Sequence, residues 1–89
     1  MTWAIEFADT ALRQLEKLAR TVQRRIWKYL HERVAGLDNP RKLGESLQGE
    51  RFGEFWRYRV GDYRLITKIE DERLVILVLR VGHRREVYR

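Results

Sequence analysis

The chain has 89 residues, of which 44% are hydrophobic and 36% are charged, and its formal net charge is +6. A length of this order supports a single domain with a modest core, so we expect residues 1–89 to form one domain. The absence of cysteine excludes disulfides, thiolate metal sites and cysteine nucleophiles. The excess of positive charge favours a polyanionic partner such as nucleic acid, an anionic membrane or an acidic protein. No signal-peptide pattern and no membrane-length apolar stretch is present, so the expected location is cytoplasmic.

The first third of the chain predicts one strand and two helices. Trp3, Ile5 and Phe7 alternate with polar or small residues, as in a half-buried strand. Asp9 is a candidate N-cap for the first helix and Thr21 for the second. Apolar residues then recur at steps of three and four, which is helical periodicity. They are Leu12, Leu15, Leu18 and Val22, followed by Ile26, Tyr29 or Leu30, and Val34. The short connection between the two stripes predicts an antiparallel helical hairpin.

The second half of the chain predicts a sheet. Asp38-Asn39-Pro40 indicates a turn, and residues 41–50 an irregular connection with Leu43 and Leu47 facing inward. From Phe55 the period changes to two, and Gly61-Asp62 fits a two-residue hairpin turn with glycine at positive φ. Residues 74–81 are apolar on both faces, which suits a central strand. The predicted order is β-α-α-β-β-β. It describes an α+β domain with a small, mainly antiparallel, twisted sheet and the helical hairpin on one face.

The predicted hairpin register gathers positive charge on one face of the sheet. If Val60 pairs with Tyr63, then Arg59 faces Arg64, and Arg57, Arg59, Arg64 and Lys68 share the face that the helices leave open. Like charges opposed across strands reduce stability. A phosphate-binding site would account for that cost, because arginine offers a planar fork of donors matched to phosphate oxygens. The alternative is an ordinary solvated basic face.

The C-terminal segment favours the phosphate site over the solvated face. A histidine, two arginines and a tyrosine follow Gly82 closely: His83, Arg84, Arg85 and Tyr88. Histidine exchanges protons near neutral pH, arginine stabilises a crowded phosphate, and tyrosine stacks on a base or donates a proton. Together with the arginine face, this segment predicts a site that cleaves a phosphodiester.

Other site classes fail on spacing. The two histidines, His31 and His83, have no partners at zinc-ligand spacing. Gly44 and Gly49 have the spacing of a phosphate-binding loop, but Glu50-Arg51 follows where that loop requires Lys and then Ser or Thr.

Several segments carry a family resemblance: Phe7-Ala8-Asp9-Thr10-Ala11, Asn39-Pro40-Arg41, Leu47-Gln48-Gly49, residues 56–64, and Val81-Gly82-His83-Arg84. Through them the chain resembles the RelE/ParE superfamily of toxins from toxin–antitoxin systems, and within it the RelE-type mRNA interferases. The resemblance implies a RelE-like fold and an endoribonuclease that cuts mRNA in the ribosomal A site, surrounded by 16S and 23S rRNA. It also implies neutralisation by an acidic, RelB-like antitoxin, and it implies neither a metal nor another cofactor.

The resemblance also implies roles for individual residues. Arg57 and Arg59 match the family's basic strand pair, Arg64 and Arg84 would stabilise the phosphorane, and Tyr88 would stack on the substrate. We expect Tyr63, Lys68 and Arg85 to contact RNA.

One departure concerns proton transfer. Well-known members have lysine where Arg57 and Arg59 stand, and one such lysine is thought to act as the general base. Arginine stays protonated and is a poor base. His83 is therefore the favoured candidate for proton transfer, with Tyr88, water or an arginine in an unusual setting as alternatives. Two other functions stay open: a ParE-like protein that inhibits DNA gyrase without catalysis, and a degenerate toxin that binds but does not cut.

Overall fold

The computed structural model describes residues 2–47 and 55–86, which form two helices and a five-stranded mixed sheet. The helices are α1 (Asp9–Glu16) and α2 (Arg20–Lys28), and α2 continues into a π-helical segment, Tyr29–Val34. The strands are β1 (Ala4–Phe7), β2 (Glu45–Ser46), β3 (Trp56–Val60), β4 (Tyr63–Glu70) and β5 (Val75–His83). A 3₁₀ turn, Pro40–Lys42, precedes β2. The predicted α+β class is confirmed.

The sheet has the strand order β1-β5-β4-β3-β2. β1 runs parallel to β5, and the other described pairings are antiparallel. The predicted hairpin register is confirmed, because Val60 pairs with Tyr63, Arg59 with Arg64, Tyr58 with Leu65 and Arg57 with Ile66. Gly61 has the positive φ that was expected, at 59°. Gly61 is the first central residue of the turn, the position at which the favoured two-residue hairpin turns require positive φ.

The helical hairpin packs on one face of the sheet and forms the main core with it. Ile26, Leu30 and Val34 are fully buried at steps of four, so the predicted stripe of the second helix is confirmed. The π-helical segment keeps this stripe facing the sheet, and the Ala35 amide closes it by donating to the Leu30 carbonyl at 2.8 Å. The predicted stripe of the first helix is only partly right, because Leu12 is 43% exposed.

Three local predictions are corrected by the structure. Asp9 and Thr21 are not N-caps: Ala8 and Ala19 occupy those positions, and neither makes a side-chain capping bond. Asp9 instead lies in the first turn of α1, where a carboxylate interacts favourably with the helix dipole. The connection after Pro40 is also not wholly irregular, because Glu45 and Ser46 form the edge strand β2, paired with β3.

A smaller apolar cluster lies on the other face of the sheet. Leu47 and Ile66 are buried there, and Phe55 packs against them. Within residues 2–47 and 55–86 no helix packs on this face, and Arg59 and Lys68 on it are exposed.

Candidate nucleic-acid interface

The open face of the sheet carries cations in rows that cross the strands. Directly opposed residues share a face, so Arg59, Arg64 and Gly82 form one row. The next row contains Arg57, Ile66 and Arg80, and a third contains Lys68 and Leu77. We call the surface formed by Arg57, Arg59, Arg64, Lys68 and Arg80 the arginine face. The structure therefore brings together the four cations that the sequence placed there.

Arg80 is a member that sequence reasoning missed. β5 contains a bulge, because Ile66 pairs with Arg80 whereas Thr67 pairs with Val78, which leaves Leu79 without an opposing residue. Strict alternation along β5 places Leu79 on the arginine face, and the bulge puts Arg80 there instead. The sequence does carry a signal for it. The spacing of the core residues along β5 is two from Ile76 to Val78 and three from Val78 to Val81, the pattern expected for a strand with a bulge.

An acidic side chain from β2 contacts two of these arginines. Glu45 lies opposite Arg57 in the register, and its carboxylate accepts a hydrogen bond from the Arg57 guanidinium at 2.5 Å. Its other oxygen lies 3.7 Å from Arg59 Nη2. The Arg57 side chain is 18% exposed and that of Arg59 is 55% exposed. The carboxylate thus offsets the repulsion between these neighbouring arginines.

The hairpin turn orients the arginines at the end of the sheet. The guanidinium of Arg64 donates to the Gly61 and Tyr63 carbonyls at 2.9 and 3.0 Å, so this side chain lies along the turn. Gly82 on β5 lies opposite Arg64 on β4, and it has no side chain to occupy the surface beside that arginine. The backbone amide of Arg84 donates to the Asp62 carbonyl at 2.8 Å, which fixes Arg84 next to the same turn. Arg84 and Arg85 are both exposed.

His83 and Tyr63 lie on the helix side of the sheet, not on the arginine face. They oppose each other in the register, and their rings meet edge to face with centroids 5.9 Å apart. Together with Gln14, Lys17 and Glu86 they line a cavity of about 320 Å³ near the end of α1. His83 Nδ1 also accepts a hydrogen bond from the Arg85 amide at 3.3 Å. The structure therefore separates these two rings from Arg57, Arg59 and Arg64. Tyr88 lies outside the described residues.

Two further observations concern metals and membranes. No three or more His, Asp or Glu side chains within residues 2–47 and 55–86 cluster so that they could hold a metal ion. No helix in the same residues has the length and apolar character needed to cross a membrane.

A small α+β domain with one sheet face packed on helices and the other lined by aligned arginines is typical of nucleic-acid-binding proteins. Comparison with known proteins narrows this class. Residues 5–88 match the family model for the ParE toxin of the parDE type II toxin–antitoxin system. The chain is 33% identical over 89 residues to toxin RelG of Mycobacterium tuberculosis, covering 100% of this chain and 99% of that protein. It is also 33% identical over 90 residues to the mRNA interferase toxin RelE of Escherichia coli K12, covering 99% and 92%.

The fold agrees with these relatives. A crystal structure of the RelBE2 toxin–antitoxin complex of Mycobacterium tuberculosis superposes with a TM-score of 0.83 at 28% identity, covering 97% of this chain and 95% of that one. The chain therefore belongs to the RelE/ParE superfamily of toxins from type II toxin–antitoxin systems. It is a toxin of the RelE family, as the sequence resemblance indicated.

Proposed function

We propose that this toxin is an endoribonuclease that cleaves messenger RNA in the ribosomal A site. The observation that carries the proposal is the arginine face, in which Arg57, Arg59 and Arg64 occupy adjacent rows on the side of the sheet opposite the helices. A relative that is 33% identical over nearly its whole length is named an mRNA interferase, which supports the same activity here.

The proposed reaction uses the RNA's own nucleophile. The 2′-oxygen of a ribose attacks the adjacent phosphorus while the bond from phosphorus to the 5′-oxygen breaks, giving a 2′,3′-cyclic phosphate and a free 5′-hydroxyl. The phosphorane formed on the way carries extra negative charge, and fixed cations that stabilise such charge are among the strongest contributors to catalysis. The Arg64 guanidinium and the Arg84 backbone amide both donate to carbonyls of the hairpin turn, at Gly61 and Asp62, so we assign these two arginines to this charge. Arg57 and Arg59 bind the neighbouring phosphates, with Lys68 and Arg85 contributing further positive charge.

The reaction also moves two protons: one leaves the 2′-hydroxyl and one reaches the 5′-oxygen. Arginine does not supply a base at working pH. The proposed candidates are His83, Tyr88 and water. His83 faces the α1 side beside Tyr63, so its contribution needs a separate test. If His83 transfers a proton, His83→Gln should remove one limb of the pH–rate profile. If it only positions Arg84 and Arg85, the rate should fall with the profile unchanged.

The test of the main proposal is in vitro translation followed by primer extension on the mRNA. Wild-type toxin should cut within codons, and Arg64→Ala or Arg84→Ala should reduce the rate by about 10²–10³-fold, as expected when one fixed donor to a developing charge is lost. The control is Arg13→Ala, at an exposed position of α1, which also removes one positive charge but does so on the helical side of the protein. This variant should cleave mRNA at the wild-type rate. Unchanged cleavage by both Arg64→Ala and Arg84→Ala would contradict the proposal.

A gyrase inhibitor is the second candidate, and the match to the ParE family model favours it. This function requires binding without RNA chemistry. A supercoiling assay with purified gyrase separates the two candidates, because a gyrase poison traps cleaved DNA and leaves mRNA whole. Growth arrest on induction of the toxin alone would exclude a degenerate toxin that has lost its activity.

We also propose that a RelB-like antitoxin with an acidic binding segment neutralises this toxin. The structural relative from Mycobacterium tuberculosis is a toxin–antitoxin complex, and the net charge of +6 favours an acidic partner. The arginine face is the surface that such a partner would have to block.

A further inference from the structure

A second group of cations lies between α2 and the β3–β4 turn. These residues surround a cleft of about 340 Å³, open to solvent, which we call the α2 cleft. Its lining consists of Arg25, Lys28, Tyr29, Glu32 and Arg33 from the helix, and Arg59, Val60 and Gly61 from the hairpin. Four of these eight residues are cationic and one is acidic. The cleft is therefore strongly basic, and neither the sequence resemblance nor the proposed reaction assigns it a role.

Three of the four cations that line the α2 cleft form no ion pair with a described carboxylate, whereas Arg59 lies 3.7 Å from Glu45. Within the described part of the chain, no carboxylate lies within 4.0 Å of the charged groups of Arg25, Lys28 or Arg33. Arg33 lies over the Tyr29 ring at 5.9 Å, an arrangement that orders its side chain without neutralising its charge. Burial raises the pKa of the Tyr29 phenol, against the opposing effect of Arg33, so its hydroxyl remains a hydrogen-bond donor at neutral pH.

The hairpin turn supplies the second wall of the cleft. A Cβ at residue 61 would lie 3.0 Å from Arg25 Nη1, so the guanidinium of Arg25 rests against the glycine. This contact turns a convex helix surface into a concave one with donors on both sides. A basic helix face exposed only to water would not need such a wall.

Arg59 connects the α2 cleft to the arginine face. Its side chain comes from the same row as Arg64, is 55% exposed, and also lines the cleft. Cations therefore continue from the open sheet face over the exposed end of β3 to α2. Evenly spaced negative charges along a backbone are the ligand that fits a continuous track of this kind.

We propose that the α2 cleft binds phosphates of an RNA backbone as an extension of the arginine face. This inference rests on the proposed function in that the arginine face itself must bind RNA. The phosphates come either from nucleotides that flank the cleaved bond or from ribosomal RNA next to the bound toxin, and the two sources share the same chemistry.

The test compares two charge-matched double variants of the full chain. Lys28→Gln with Arg33→Gln removes two charges from the cleft. Arg20→Gln with Arg24→Gln removes two charges from another side of the same helix, where both residues line a depression next to Trp27. Lys28, Arg33, Arg20 and Arg24 are all exposed, so both proteins should fold, and thermal unfolding checks this. The probes are a four-nucleotide and a twelve-nucleotide 2′-O-methyl RNA, which cannot undergo 2′-hydroxyl attack, and purified bacterial ribosomes.

The cleft variant should bind RNA about tenfold more weakly near 0.1 M salt, with the slope of log K against log salt reduced by about 1–1.5, as expected for two lost phosphate contacts. The control variant should change neither quantity appreciably. A loss on the twelve-nucleotide RNA but not on the four-nucleotide RNA assigns the cleft to the flanking substrate. A loss confined to ribosomes assigns it to ribosomal RNA.

Equal losses in the two double variants would overturn the proposal, because they would report net charge alone. Unchanged RNA and ribosome binding with weaker binding of the antitoxin would overturn it as well, since the cleft would then serve a protein. Because uncleavable RNA is the probe, failure of the cleavage assay together with an intact cleft effect would reject the proposed reaction and leave this inference standing.

Discussion

Tyr58 shows how one residue joins the loop before β2 to the sheet. Its side chain is fully buried in the middle of β3, and its hydroxyl donates to the Pro40 carbonyl at 2.7 Å. The ring also meets Tyr29 edge to face, with centroids 6.1 Å apart. Burial and the neighbouring phenol of Tyr29 raise the pKa of Tyr58 well above its usual range. This one side chain therefore holds the connection that leads to Glu45.

Tyr58→Phe should lower the free energy of unfolding by about 1–3 kcal/mol at neutral pH, because the buried Pro40 carbonyl loses its donor. The difference should depend on pH. In the wild type, Tyr58 ionises near pH 10 in the unfolded chain but stays protonated in the folded one. Ionisation therefore favours the unfolded wild type above about pH 10 and lowers its free energy of unfolding. The variant has no phenol at residue 58 and does not undergo this loss. The gap between the two proteins should therefore narrow in alkali.

Urea unfolding followed by tryptophan fluorescence between pH 7 and pH 11 measures this effect. Tyr29 contributes alkaline loss to both proteins, so only the difference between them is informative. A gap that stays constant across this range would show that the Tyr58 phenol is not shielded from ionisation.

At the scale of elements, the short strand β2 places an anion among the arginines. Two residues of β2 pair with β3, and this pairing brings Glu45 opposite Arg57 and within 3.7 Å of Arg59. An incoming phosphate must compete with this carboxylate. β2 therefore offsets the charge of the arginine face, and under the proposed function it should also weaken the binding of RNA to that face.

Glu45→Gln should strengthen RNA binding by about three- to tenfold at low salt, since a like charge about 4 Å from a bound phosphate costs about 1 kcal/mol even in water. The same change should lower the free energy of unfolding slightly, by about 1 kcal/mol or less, as for other exposed ion pairs. Binding is measured by fluorescence anisotropy with a labelled 2′-O-methyl RNA.

The matched control for Glu45→Gln is Glu16→Gln on α1, which changes the net charge equally on the helical side. If both variants bind RNA more tightly to the same extent, the effect is one of overall charge. A weaker affinity for Glu45→Gln would mean that the carboxylate orders the arginines for RNA instead of competing with it.

At the scale of the whole molecule, the sheet is packed on one side only. The helical hairpin covers the face formed by residues such as Ile76 and Val78, both fully buried. Neighbouring Leu77 points to the arginine face, in the row of Lys68, and remains partly exposed. One strand therefore has a side that stabilises the fold and a side available to partners.

Ile76→Ala should lower the free energy of unfolding by about 2–5 kcal/mol, because it leaves a cavity in the main core. Leu77→Ala should cost about 1 kcal/mol or less, because its side chain is already partly in water. Urea denaturation of the isolated toxin compares the two variants. Equal losses would show that the arginine face is covered in the free protein.

Much of the fold and part of the candidate site could be predicted because they depend on neighbours in the chain. The period of two from Phe55 and the glycine of the Gly61-Asp62 turn are local signals. They were sufficient for the hairpin register, and with it for the shared face of Arg57, Arg59 and Arg64. The step of four in the second helix likewise predicted Ile26, Leu30 and Val34 as core.

The remaining features depend on contacts between segments that are far apart in the sequence. The pairing of β5 with β4 contains the bulge that brings Arg80 to the arginine face. Pairing of β2 with β3 brings Glu45 to Arg57, and packing of α2 beside the turn forms the α2 cleft. His83 was placed with the arginines from its position next to Arg84, but its pairing with Tyr63 puts it on the helix side.

The sequence by itself therefore determined the fold class and the shared face of the hairpin arginines, because period and turn chemistry act over a few residues. The superfamily was indicated separately, by the resemblance of several short segments to its members. Only the tertiary structure decided that Arg80 lies on the arginine face, that Glu45 contacts Arg57, and that His83 lies on the helix side of the sheet. The physical reason is that a strand's faces are assigned by its partner's register, and a single bulge moves the residues beyond it to the other face.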